Sequence, residues 1–334
     1  MQTMQFTTPI EIPTSPARIT HKSNIILAGS CFAENIGGKL AERKFNICIN
    51  PFGILYNPLS ITAMLERIAK CELFTAESPE IFKHNEKWHS HLHHGDFSRS
   101  TKEELLTGIN AAIDVAHKKV STCDYVILTL GTAYVYYLNS NNNIVGNCHK
   151  LPGNLFTRRM LDISEIVAAM TNTMELYTAA NPDIKFIFTV SPIRHLRDGA
   201  HDNQKSKGTL LLAIDKILKQ FPHNTHYFPA YEIMLDELRD YRFYAADMVH
   251  PSQVAVDYIW EKFGSSWFTD ETHGINREIE DINRAIGHKP YDPQASAYKQ
   301  FLKNTLNRIE TVLEKHPGLD FEKEIMQCNI LLNR

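Results

Sequence analysis

The stretch NIILAGSCFAENIGGKLAER (24–43) joins two patterns at a single point. Residues 24–29 form a short apolar run, the pattern of a strand buried on both faces. From about Phe32 to Arg43 the sequence reads as a helix. Ser30 and Cys31 lie at the junction, so a buried strand delivers two candidate nucleophiles directly to a helix start.

The same alternation continues outward. FNICINPFG (45–53) is strand-like and ends in a Pro-Gly turn, and SITAMLERIAKCEL (60–73) has helical spacing. TKEELLTGINAAIDVAHKKV (101–120) predicts a helix leading into DYVILTLG (124–131), the clearest strand of the chain. DISEIVAAMTNTMELYTAAN (162–181) leads into IKFIFTVSP (184–192), and SKGTLLLAIDKILKQF (206–221) precedes a short THYFPAYEIM segment (225–234). Alternating helices and fully apolar strands predict an α/β fold with a mostly parallel sheet covered on both faces. Reacting groups of such sheets collect at the carboxyl ends of the strands. Those ends are Gly29-Ser30, Gly131-Thr132 and Ser191-Pro192. The organisation expected is an N-terminal arm (1–20), a main domain (21–270) and a helical C-terminal extension (271–334) containing SAYKQFLKNTLNRIETVLEKH (296–316).

Bulk properties narrow the function. The chain has 334 residues, 43% of them hydrophobic, and a formal net charge of -3. Without a run of like charges, nothing points to nucleic acid or an anionic membrane surface as a partner. The first twenty residues are polar and carry three prolines, unlike a signal peptide, and no later run approaches a spanning helix. Six scattered cysteines without a CxxC pair predict free thiols and a cytoplasmic location.

Ser30, between strand and helix, meets unpaired helix N–H groups that favour developing negative charge. That suits a nucleophile; the alternative is a plain helix cap. Far downstream, FYAADMVHPSQVAVDYIW (243–260) carries Asp247 and His250 three residues apart. The carboxylate can hold one imidazole nitrogen and leave the other to accept a serine proton. Cys31 has no such partner and reads as a small apolar residue.

Other groups invite chemistry. His89, His91 and His93 alternate, which on an extended strand would put three imidazoles on one face. Zinc could use that face, yet Asp96 is the only acidic neighbour, so a polar pocket wall or an exposed loop including His94 competes with the metal reading. Arg194, His195, Arg197 and Asp198 follow a strand end and suit an anionic or hydroxyl-rich substrate, or else form a solvated loop. Asn147-Cys148-His149-Lys150 has an open role, and Tyr134, Tyr136 and Tyr137 read as strand packing rather than a sugar platform.

Gly29-Ser30-Cys31-Phe32-Ala33 resembles the motif of the GSCFA family, which is grouped with the SGNH (GDSL-like) hydrolases. NPFGILYNP (50–58), WHSHLHHGDFS (88–98), LTLGTAYVY (128–136), NCHK (147–150), SPIRHLRDGAHDNQKSKGTLL (191–211) and DMVHPS (247–252) also look like this family. The resemblance covers about residues 20 to 265. It implies a three-layer α/β/α flavodoxin-like SGNH-hydrolase fold and a serine-dependent ester hydrolase. Ser30 would be the nucleophile, His250 the general base and Asp247 its orienting acid, with no metal and no cofactor. The expected substrate is a small-molecule ester, such as an acetylated carbohydrate. Gly53 would share the oxyanion hole with the Ser30 N–H. The superfamily's Asn after a glycine is replaced here by Thr132 or Ala133, leaving the Thr132 hydroxyl, Asn57, Asn147 and His149 as substitutes. His89 and Arg194 would line the substrate site. The missing Asn also admits a binding module without turnover, and the His89–His94 loop a metal-dependent hydrolase.

Overall fold

A computed structural model describes residues 7–333. Strand β1 (Asn24–Gly29) passes through Ser30 into α1 (Cys31–Glu42), followed by β2 (Asn46–Ile49) and α2 (Pro58–Ala69). A hairpin of β3 (Ile81–His84) and β4 (Lys87–Ser90) leads to α3 (Lys102–Val120) and β5 (Tyr125–Leu130). A small antiparallel sheet of β6 (Tyr134–Leu138), β7 (Ile144–Val145) and β8 (Phe156–Met160) follows. Then come α4 (Ile163–Ala180), β9 (Lys185–Val190), α5 (Gly199–Gln220), β10 (Thr225–Tyr227) and the short α6 (Ala230–Glu232). The chain closes with α7 (Gln253–Trp267), α8 (Asp270–Ile286), α9 (Ser296–Lys315) and α10 (Glu322–Leu332).

The main sheet is parallel throughout, in the order β10-β9-β5-β1-β2. Counting only these five strands in chain order, it runs 2-1-3-4-5, the flavodoxin-like doubly wound order. Its switch point lies between β1 and β5, where Ser30 emerges.

Strand alternation divides the core. Ile26 and Ala28 face α2, α3, α4 and α5, whereas Ile25 and Leu27 face α1 and α7. A helix pair laid over one side of a parallel sheet must bury a stripe; α1 does so with Phe32, Ile36 and Leu40. The expected helix start at Phe32 is one residue late, because the Ser30 hydroxyl caps the helix and makes Cys31 its first residue. The helix expected at 206–221 begins seven residues earlier, at Gly199. Its polar first half conceals the extension.

A third apolar cluster joins α8, α9 and α10, built on Ile279, Ile282, Leu302, Ile309 and Phe321. These helices attach to the turn after α1. Arg43 pairs with Glu280 at 2.6 Å, Lys44 with Glu324 at 2.6 Å, and Asn283 donates to the Glu42 carbonyl. Residues 15–19 run along the end of α7, with Ile19 N donating to Trp267 O at 2.8 Å. Residues 1–6 of the expected N-terminal arm lie outside the described residues. Among the described residues no helix is long and apolar enough to cross a membrane, and all six cysteines are free.

Gly29 has φ +146°, and a Cβ there would stand 2.2 Å from the Thr129 carbonyl oxygen on the neighbouring strand. Two hydrogen-bonded strands cannot move apart to admit it. Gly29→Ala is therefore expected to cost at least about 2 kcal/mol, from strain plus overpacking. Gly38, in the middle of α1 with open space around it, is the control: Gly38→Ala should stabilise by about 0.5–1 kcal/mol. Urea titration of both variants checks the pair.

Candidate functional site

Ser30 is wholly buried and serves as the N-cap of α1. Its Oγ accepts from Phe32 N at 3.3 Å and donates to Ser191 Oγ at 2.9 Å. Ser191 follows β9, and its own N–H is held by Leu130 O at 2.8 Å. The helix-cap reading is thus correct, but the cap also reaches two strands across the sheet to a second hydroxyl.

Behind these hydroxyls lies Lys207, on the buried face of α5 and 1% exposed. Its Nζ donates to Gly131 O and to Ser191 O, both at 2.7 Å, and has no carboxylate partner among the described residues. Burial lowers its pKa to about 7. The neighbouring polar residues of α5 also grip the strand ends. Ser206 Oγ accepts from Ala133 N at 2.8 Å, and Asn203 Oδ1 accepts from His195 N at 2.9 Å. Lys207 was missed in the sequence reading. Its signal was available: Asn203, Ser206, Lys207 and Leu210 fall on one helical stripe that is otherwise apolar.

Asp247 and His250 share a loop between α6 and α7. Asp247 Oδ1 accepts from the N–H groups of Val249 (2.9 Å) and His250 (3.0 Å), and Oδ2 lies 2.6 Å from His250 Nδ1. Those two N–H groups and the imidazole hold the Asp247 carboxyl down to about 2. Met248 takes a left-handed φ of 58° to complete the turn. The loop is closed by a Tyr244–Pro251 bridge, and Ser252 caps α7. Its Val249 carbonyl accepts from Arg194 N at 3.3 Å, three residues beyond Ser191. The structure therefore brings Asp247 to His250 and their loop to the end of the sheet where Ser30 lies. Ser30 and His250 are not hydrogen-bonded to each other: the hydroxyl turns toward Ser191, and the imidazole is 44% exposed.

The expected oxyanion donors are committed elsewhere. Ser30 N donates to Thr129 O at 3.2 Å and Gly53 N to Asn50 O at 2.7 Å. Gly53 instead allows close packing, since its φ is +78° and a Cβ would sit 2.3 Å from His94 Cβ. Asn57 caps α2, binding Ser60 N at 2.9 Å and Ser60 Oγ at 3.0 Å. The Thr132 hydroxyl lies between Ser206 Oγ and Tyr134 N. Asn147 Oδ1 accepts from His149 N at 2.8 Å. Among the described residues, the buried Asn50 Nδ2 and His195 Nε2 lack hydrogen-bond partners. The Asn50 amide is oriented by Gly29 N, which donates to its Oδ1 at 2.9 Å. The His195 ring packs edge-on to Tyr56, and its Nε2 lies 3.1 Å from where a Gly131 Cβ would be. Neither was singled out as a donor from the sequence. Asn50, in the left-handed region after an apolar strand, was the clue.

The three-imidazole face does not form. Strand β4 ends at Ser90, so His91, His93 and His94 lie on a turn and diverge. His89 hydrogen-bonds Ser98 Oγ (2.7 Å) and His84 O (3.0 Å), His91 stacks on Phe82, and His93 stacks on Phe52 while bonding Ser90 Oγ. His149 Nε2 lies 2.8 Å from Ser90 O. Among the described residues no group of three His, Cys, Asp or Glu could hold a metal ion. Tyr134 and Tyr136 pack beneath the Arg158 guanidinium, which pairs with Asp198 at 2.6 Å. Cys31 is half-buried and its thiol is pushed up by that burial, the opposite of an activated thiolate.

Burial also holds His21, His149 and His195 down to about 4. The unfolded chain binds these protons near pH 6.5, so the stability they contribute is complete above that pH and is lost as pH falls toward 4. The urea midpoint should drop between pH 7 and pH 5, and less steeply in His149→Gln than in the wild type.

The family model described as "GSCFA family" matches residues 24–263, from β1 to α7, and so spans both Ser30 and His250. The model described as "GSCFA domain protein, C-terminal domain" matches residues 279–334. No curated protein matches the chain.

Proposed function

The chain belongs to the GSCFA family, and we propose that it is a serine-dependent ester hydrolase of SGNH type that removes a short acyl group from a carbohydrate or another small molecule. The observation that carries this reading is the Asp247–His250 pair. A carboxylate 2.6 Å from Nδ1 leaves Nε2 as the free face of the imidazole, on a loop bonded to the segment that follows Ser191. The pair is locked, because the same carboxylate holds two backbone N–H groups of its own turn.

In the proposed reaction the Ser30 hydroxyl rotates from Ser191 toward His250 and attacks the ester carbonyl. His250 Nε2 takes the proton and returns it to the leaving alcohol, while Asp247 fixes the tautomer and steadies the imidazolium. Water then repeats the sequence on the acyl enzyme. Because the Ser30 and Gly53 N–H groups are engaged, the oxyanion falls to the uncommitted Asn50 Nδ2 and His195 Nε2. His195, kept neutral by burial, can donate without competing for the proton. No step requires a cofactor.

Hydrolysis of p-nitrophenyl acetate tests the assignment. Ser30→Ala and His250→Ala should each lose about a thousandfold or more in kcat; equal rates for wild type and Ser30→Ala would remove Ser30 from the chemistry. Asn50→Asp keeps the acceptor for Gly29 N but removes the donor. It should lower kcat about a hundredfold with little change in KM. A ligand-binding role without turnover is favoured by one observation, the engagement of both expected N–H donors. Covalent labelling of Ser30 by a fluorophosphonate separates the two readings, since a binder leaves the probe unreacted.

A further inference from the structure

We propose that the cleft beside the His250 loop binds an anionic group, so that the ester hydrolysed is carried on an acidic carbohydrate bearing a carboxylate or phosphate. The word "ester" rests on the reading of Ser30 given above; the charge of the cleft does not. The cleft has a volume of about 190 Å³ and is lined by Arg194, Tyr231, Arg239 and Tyr244, among others. That is smaller than the roughly 300 Å³ of a typical small-molecule site, so it admits one ring or one charged arm and not a polymer.

Its charges are unbalanced. Neither guanidinium has an ion-pair partner among the described residues; Arg194 only lies over the Tyr244 ring, 5.5 Å from its centre. The one acidic side chain in the lining, Asp240, is already engaged, accepting from Arg242 N at 2.9 Å and lying 3.7 Å from the Arg242 guanidinium. Two arginines without ion-pair partners among the described residues line one cleft, and a guanidinium fork matches the geometry of a carboxylate or phosphate. Tyr241, which also lines the cleft and is 65% exposed, supplies a flat ring for a sugar face, and Tyr231 OH is fixed by Gln204 at 2.8 Å.

The position of the cleft joins it to the candidate chemistry. Arg194 stands three residues beyond Ser191, whose hydroxyl accepts from Ser30, and Arg194 N is bonded to Val249 O, one residue before His250. Tyr244 forms the bridge that closes the His250 loop. The cleft is thus tied through backbone to both segments that carry the candidate groups, the one after Ser191 and the His250 loop.

The test measures binding, by calorimetry on the full chain carrying Ser30→Ala, of glucuronate, glucose 6-phosphate and glucose. At least one of the two anions should bind about tenfold or more tightly than glucose at low salt, and more weakly as salt is raised. Which anion wins distinguishes a carboxylate from a phosphate substrate. The preference should vanish when Arg239→Gln is added, an exposed position whose change does not threaten the fold, and also with Arg194→Gln. Equal binding of glucose and both anions, or a preference that survives Arg239→Gln, overturns the proposal. Anion binding by a protein whose wild type is inert toward p-nitrophenyl acetate supports the cleft and overturns the esterase reading. Brisk hydrolysis without anion preference does the reverse.

Discussion

A single ammonium group sets the geometry of the carboxyl edge. Lys207 Nζ, sealed from water, bridges the carbonyls of Gly131 and Ser191 and so ties the ends of β5 and β9 together. Burying a lysine without a carboxylate partner among the described residues is costly; burial lowers its pKa to about 7, and two short bonds to backbone carbonyls offset part of that cost. The exchange is specific: the bridged carbonyls belong to the two consecutive strand ends on one side of the exit of Ser30. Any drift of one end would shift Ser191, and with it the hydroxyl that now holds Ser30 Oγ.

The remainder of the edge is arranged around that clamp. Gly29 lets β1 run against Thr129 with no side chain between, so Ser30 leaves the sheet at the switch point. Helix α5 contributes Asn203 and Ser206 in addition to Lys207, holding the loops after β9 and β5 respectively. The Asp247–His250 loop reaches the same edge from the opposite layer, through Arg194 N and Val249 O. The edge is therefore held by side-chain bonds to backbone, while the catalytic hydrogen bond proposed between Ser30 and His250 is left to form on rearrangement. The C-terminal helices have their own apolar cluster and touch the domain through Arg43 and Lys44, behind α1 and away from this edge.

Much of this was legible along the chain. Short apolar runs such as Tyr125–Leu130, alternating with helical stretches, read as strands covered on both faces, which gives a parallel sheet and its two helical layers. The DxxH spacing of Asp247 and His250 was enough to anticipate their contact, because three residues in a tight turn bring the side chains together. The histidine alternation misled for the opposite reason. Period-2 spacing implies one face only where the backbone stays extended, and β4 stops at Ser90, so His89 and His91 stack on Phe82 while His93 stacks on Phe52. The resemblance made Gly53 an oxyanion donor and Asn57 a substitute one, but local turn and capping bonds had first claim on them.

Sequence alone determined the fold class, the strand-serine-helix junction and the Asp-His pair, since each is a matter of local pattern or short spacing. Tertiary structure alone decided which polar groups at the edge are free. Hydrogen-bond commitment depends on neighbours brought together by strand order, and more than a hundred residues separate Ser30 from Ser191. It is that long-range assembly that occupies the Ser30 N–H group, leaves Asn50 Nδ2 and His195 Nε2 without hydrogen-bond partners among the described residues, and buries Lys207 where a lysine has no water to turn to.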